Sequence, residues 1–213
     1  MSLLAGTRLA VLDTETTGFA PARGDELLEV AHVELVDGRI GETWSSLVRP
    51  RRPIPDGAAA VHGITEAMVA QAPPPNAVAA ELCARCEGVM LVFHHAAFDL
   101  PFLQQLLRGA GRAPLLNPVF DTLGLARGML RAKSHSLQAI AGELGLPHEP
   151  QHRALGDALT TARLLMALAP RWEAERGVRS LAELAAESQD GVRLPAKRPA
   201  RDEAEVPDMP ATR

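Results

Sequence analysis

Tyrosine is missing from this 213-residue chain, and aromatic residues of every kind make up 3% of it. A core of ordinary size must therefore be built from Leu, Val, Ile and Ala, which a hydrophobic content of 46% supplies. No apolar run approaches the roughly 18 residues that a membrane helix needs. The opening "MSLLAGTRLAVLD" leads straight into a strand pattern, without the apolar segment and cleavage site of a secretory leader. These absences predict a cytoplasmic protein with no membrane partner. Excess positive charge is lacking too: the formal net charge is -4 and the pI is near 6.0, which argues against a protein that holds nucleic acid by bulk charge alone. Cysteine occurs only twice, at Cys83 and Cys86. The pair falls late in the helical pattern "NAVAAELCARCEGV", whereas a redox pair opens a helix, and two thiols do not complete a zinc site. They read as reduced, partly buried thiols.

What is present alternates between strand and helix signals. "RLAVLDTET" and "ELLEVAHVELVDGRI" read as strands, the second entering a turn at Asp37-Gly38, and "TWSSLVRP" reads as a third strand closed by proline. "RPRRPIPDGAAAVHGIT" reads as a loop rich in Pro and Gly, with helical patterns from Thr65 and from Pro75 onward. "GVMLVFHH" is a fourth strand, "FDLPFLQQLLRGAG" a helix started by Asp99, and "NPVFDTLGLARGML" a short strand leading into a helix. "SLQAIAGELGL" and "RALGDALTTARLLMALA" follow as helices. The order predicts an α/β three-layer sandwich on a mixed five-stranded sheet, an antiparallel meander of three strands followed by alternating helices and strands. Residues 1–170 form its main domain and 171–188 a helical extension. Residues 189–213 carry five basic and five acidic side chains with four prolines, the composition of a disordered tail.

Asp13 and Glu15 stand at i and i+2 on the first strand and so project from one face. Two such carboxylates repel each other unless a proton or a cation intervenes, and hard divalent cations prefer oxygen ligands. A strand end bending into solvent would also tolerate them. Asp99 reads by itself as a helix cap, Asp157 as an acid on the polar face of a helix, and His152 as a loop histidine.

Taken together and in order, "DTETTGF" at 13–19, "HHAAFDLPFL" at 94–103 and "HRALGDA" at 152–158 resemble the DEDDh 3′-to-5′ exonucleases. That family includes the proofreading (epsilon) subunit of bacterial replicative DNA polymerase. "VHGIT" at 61–65 and "FDTLGLAR" at 120–127 resemble its intermediate segments, and the likeness spans roughly residues 8 to 168. It implies a ribonuclease H-like fold, with Asp13, Glu15, Asp99 and Asp157 as ligands of two Mg²⁺ or Mn²⁺ ions and His152 as general base. Phosphodiester hydrolysis suits these residue types, since cations activate water and offset phosphoryl charge while imidazole exchanges protons near neutral pH. The resemblance further implies that Thr16, Thr17, Gly18, Phe19 and His62 hold the terminal nucleotide; Phe98 and Phe102 lie on or beside an apolar helix face and read as core, with Phe102 the better candidate of the two for touching substrate. One departure stands out: the family commonly reads His-Asn-Ala where this chain has His94-His95-Ala96, which bears on a polar contact at position 95. A transition-metal site from His94, His95 and Asp99 is the alternative there.

The implied substrate is the 3′ end of single-stranded or frayed DNA, cleaved to nucleoside 5′-monophosphates in proofreading or repair. RNA 3′-end trimming is the enzymatic alternative, and a non-catalytic nucleic-acid-binding adaptor the alternative from another class. "QDGVRL" at 189–194 loosely resembles bacterial sliding-clamp peptides, so a DNA polymerase or its clamp is the implied protein partner.

Overall fold

Leu9 and Val11 face one way and Ala10 and Leu12 the other along strand β1 (Arg8–Thr16), and all four are buried. A strand apolar on both faces belongs inside a sheet covered on both sides, and β1 is its central strand. The computed structural model describes residues 2–190 except 148 and 150. Strand β2 (Leu27–Val36) runs antiparallel to β1 and turns at Asp37 and Gly38, both with positive φ, into antiparallel β3 (Arg39–Leu47). On the other side of β1 lie β4 (Met90–Phe93) and β5 (Val119–Asp121), each parallel to its inner neighbour. The order β3-β2-β1-β4-β5 is the mixed five-stranded sheet expected from the sequence.

Between β3 and β4 the chain forms α1 (Asp56–His62), α2 (Glu66–Val69) and α3 (Pro75–Cys86). Helix α1 lies inside the stretch read as a loop: Pro55 ahead of its first turn and the alanines at 58–60 give it a start and a helix-favouring interior. Helix α3 and α4 (Ala96–Gly109) pack on one face of the sheet, over Ala10, Leu12, Val30, Leu91 and Phe93. The opposite face, with Leu9, Val11, Val33 and Val92, is covered by α5 (Thr122–Met129), α6 (Leu137–Glu143), α7 (Ala154–Arg176) and α8 (Leu181–Asp190). Each fully buried Leu, Ile, Val or Phe contributes about 1.5–3 kcal/mol to holding these layers together. Cys83 and Cys86 are unpaired, and burial, reinforced by Cys83, pushes the Cys86 thiol up to about 12, as suits an inert core thiol.

Two features of the fold bear on the site. Helix α4 begins at Ala96, so Asp99 lies in its first turn and is not the cap expected from the sequence. The cap position falls to His95 in the left-handed region (φ 84°), and the acceptor comes from Asp121 at the end of β5. Asp121 takes the His95 and Ala96 N–H groups on its two oxygens, each at 2.9 Å, and the Leu123 N–H at 2.9 Å, so one buried carboxylate fixes the starts of α4 and α5. Second, β5 is an edge strand whose open side is covered by α8. Ser188 Oγ accepts the Asp121 N–H at 3.2 Å, and Gln189 Nε2 donates to the Val119 carbonyl at 3.1 Å. Gln189, the first residue of the clamp-like "QDGVRL", is thus engaged with the sheet edge. Residues 191–194 of that stretch, and the tail through 213, lie outside the described residues.

Candidate active site

Because period-two alternation continues past Val11, Asp13 and Glu15 leave β1 on the face that α7 covers, and Asp157 meets them from the first turn of that helix. One oxygen from each of Asp13, Glu15 and Asp157 lies within 4.8 Å of the others. Asp157 is held on both sides: Gln138 Nε2 donates to Oδ1 at 2.7 Å, and the His152 backbone N–H to Oδ2 at 3.1 Å. Thr14 points to the opposite face, where its hydroxyl donates to Asp99 Oδ1 at 2.7 Å. Asp99 therefore reaches the strand end from the α4 side and is not one of the three clustered ligands.

The electrostatics match this crowding. Burial first, then the charges of Asp99, Asp157, Glu15 and Glu29, raise the Asp13 carboxyl well above the usual carboxylate range. Burial and the charges of Asp157, Glu29 and Asp99 push Glu15 up to about 8, opposed by Arg153. Asp99 rises to about 7, mainly through burial, against the pull of hydrogen bonds from Thr14. Asp157 is raised by burial and drawn back by His152 and Gln138. A nest of carboxylates that resists ionisation is the donor set expected of a divalent-cation site, and Asp13, Glu15 and Asp157 could hold such an ion.

A pH dependence follows. A carboxyl whose folded-state pKa is raised holds its proton where the unfolded chain has released it, so it stabilises the fold at low pH and loses that contribution as pH rises. For Glu15 the window runs from its ordinary 4.5 to about 8. Thermal unfolding in chelator should fall across this range. Added Mg²⁺ should raise the midpoint by an increment that grows with pH. At a hundredfold excess over Kd this is about 2.7 kcal/mol, or roughly 5–10 °C for a domain of this size. A cation increment that shrinks with rising pH would contradict the ligand set.

Around the acids, His152 sits on the segment entering α7, with φ 55° and an exposed side chain. Arg153, beside it, forks onto the buried Glu29 of β2 at 2.7 and 3.0 Å, and Glu29 also accepts the Ala154 N–H at 3.0 Å. His62, at the end of α1, is buried: Nδ1 accepts the Ile64 N–H at 3.0 Å, Nε2 has no hydrogen-bond partner among the described residues, and burial lowers its pKa. The segment from Thr16 to Phe19 is largely bonded to itself and its neighbours. Thr16 Oγ1 donates to the Gly18 carbonyl at 2.6 Å, and Thr17 Oγ1 accepts the Glu26 N–H at 2.9 Å. A Cβ at Gly18 would come within 2.5 Å of the Asp25 carboxyl, so a larger residue here would displace that side chain from the Ala20 N–H it accepts at 2.9 Å. Phe19 is 89% exposed and meets half-buried Phe98 edge-on at 6.3 Å between centroids. Phe102, expected as a substrate contact, is fully buried behind Phe98 and presents no surface to a ligand; an α4 position one turn past Phe98 turns into the core.

The His94 ring is satisfied on both sides, by Thr122 Oγ1 and the His135 carbonyl, each at 2.9 Å, which leaves no nitrogen for the alternative transition-metal site. His95 occupies a left-handed position that asparagine adopts at lower cost, and its ring is exposed. The departure at 95 thus falls on backbone conformation. Glu29, Gln138, Arg153 and Asp121 were not singled out in the sequence as parts of the site. Their signal is a partner 19 to 124 residues away, which no local pattern carries.

A family model described as an exonuclease, of the RNase T type, matches residues 10–165. The chain belongs to the RNase T exonuclease family. The chain is 44% identical over 191 residues to a DNA polymerase III subunit epsilon-like protein of Rhodobacter capsulatus, covering 86% of this chain and 27% of that protein. It is 35% identical over 167 residues to the DNA polymerase III subunit epsilon of Pasteurella multocida, covering 75% of this chain and 65% of the subunit. The chain thus spans about a quarter of the first relative and just under two thirds of the second. Among solved structures, Exonuclease X in complex with 5′ overhanging duplex DNA superposes with a TM-score of 0.64 at 30% identity, covering 84% of this chain and 99% of that one. With the strand order described above, these likenesses make the fold ribonuclease H-like and bear out the family read from the sequence.

Proposed function

We propose that this exonuclease is a divalent-cation-dependent enzyme that removes nucleoside 5′-monophosphates from 3′ ends of DNA, single-stranded or frayed. The observation that carries the reading is the convergence of Asp13, Glu15 and Asp157 within 4.8 Å, raised in pKa by burial and, at Asp13 and Glu15, by the neighbouring carboxylates as well. Two bound Mg²⁺ or Mn²⁺ ions would supply the acidity that activates a water and the charge that offsets the phosphoryl oxygens. Asp13, Glu15 and Asp157 would hold them, with Asp99 completing the set from the α4 side.

His152 accepts the proton of the attacking water as it adds to the terminal phosphorus, and the 3′-oxygen of the preceding nucleotide departs and is protonated by solvent. The exposed ring of Phe19, backed by Phe98, offers a stacking face to the terminal base. His62 Nε2, the protonated nitrogen when Nδ1 accepts, is a buried donor available to the terminal nucleotide. The naming of relatives as polymerase III epsilon proteins supports DNA as substrate and a setting beside a polymerase.

Matched DNA and RNA oligonucleotides labelled at the 3′ end, single- and double-stranded, with Mg²⁺ and with Mn²⁺, test the reading. Cation-dependent release of mononucleotides from DNA is the expected result. Preference for RNA would assign the enzyme to 3′-end trimming, and no release from either would leave a nucleic-acid-binding adaptor.

A further inference from the structure

Glu29 stands directly opposite Glu15 in the β1–β2 register and is 3% exposed. It adds a fifth negative charge to a cluster already strained by four, and it raises the pKa of both Asp13 and Glu15. A glutamine would accept the Ala154 N–H equally well without that charge. What only the carboxylate provides is the two-pronged grip on Arg153 through Nε and Nη2. Arg153 is the cap residue of α7 and makes no capping bond with its own side chain. The open N–H at the helix start is taken by Glu29.

The residue just before this anchor, His152, is held at φ 55°, a conformation costly for a residue with a Cβ, and persists there because its neighbours fix it from two directions. Its N–H is bound to Asp157, and its next residue is clamped to β2. We infer that the Glu29–Arg153 pair is a positioning device, which fixes the His152 segment and the first turn of α7 to the strand that neighbours Asp13 and Glu15. The inference rests on the proposed exonuclease reading for the role of His152. Glu29 and Arg153 act through His152 and touch neither water nor phosphate in this scheme.

The test uses Glu29→Gln and, as a gentler change that keeps the charge but loses the fork, Arg153→Lys. Each is made in the full chain and again with His152→Ala. The expected result for Glu29→Gln is a fall in kcat of about 10- to 100-fold, the cost of a misplaced catalytic group, with KM within about twofold of wild type. Arg153→Lys should fall between Glu29→Gln and wild type. In the His152→Ala background, Glu29→Gln should lower kcat by less than about threefold, because no imidazole is left to position. Equal losses in both backgrounds, or wild-type kcat in Glu29→Gln, would overturn the inference. A readout independent of turnover is the ¹H–¹³C signal of the His152 ring. It should move toward its random-coil position in Glu29→Gln, and an unmoved signal would count against positioning. Wild type without any nucleotide release would instead sink the exonuclease reading, while the ring signal would still decide whether the pair holds His152.

Discussion

Asparagine at position 13 is expected to lower nucleotide release by about 10³-fold, some 4 kcal/mol of transition-state stabilisation, while making the cation-free protein more stable. The two signs come from one fact. The Asp13 carboxyl is buried among four other acids that all oppose its charge, so the neutral amide relieves repulsion in the folded state. The same change removes an anionic oxygen from the cluster that would hold the ions. Release from a 3′-labelled oligonucleotide and thermal unfolding in chelator measure the pair of effects. A variant that loses activity and stability together would mark Asp13 as structural.

Alanine at position 152 is expected to lower turnover by about 10²- to 10⁴-fold, the range for loss of a general base. The side chain is exposed and the backbone of the segment is held by Asp157 and Arg153, so the folded protein should survive the change within about 1 kcal/mol. The Mg²⁺-induced rise in melting temperature should persist, since the three clustered carboxylates remain. Steady-state kinetics beside melting curves with and without Mg²⁺ separate these quantities. Turnover unchanged from wild type would remove His152 from the chemistry.

The strands and their succession along the chain were legible because they rest on local signals. A short apolar run marked β1, alternation marked β2, and Asp37-Gly38 announced the hairpin. The acids were legible as a set only through their order along the chain. Asp13 with Glu15 is a two-residue pattern that a bent strand end would equally show, and Asp99 and Asp157 each had a bland helical explanation. What stayed hidden depends on tertiary neighbours. The identity of the α4 cap required knowing that Asp121 arrives from β5, and choosing between Phe98 and Phe102 for a ligand contact required knowing which side of α4 meets the sheet. Glu29 looked like one polar residue in a strand. Only its partner on α7 shows that its charge is paired. Helix α1 was hidden for a different reason, because the prolines and arginines around it outweighed its three alanines in a local reading.

Helix α8 has a practical consequence for anyone dissecting this chain. A fragment cut after residue 170 would include every acid of the site and every strand, yet it would leave the outer N–H of Asp121 and the carbonyl of Val119 without the Ser188 and Gln189 groups that now occupy them. Such a bare margin invites strands from other copies to add on. It also belongs to the residue whose carboxylate sets the start of the Asp99 helix. A shortened version that keeps this margin covered should therefore end no earlier than Asp190.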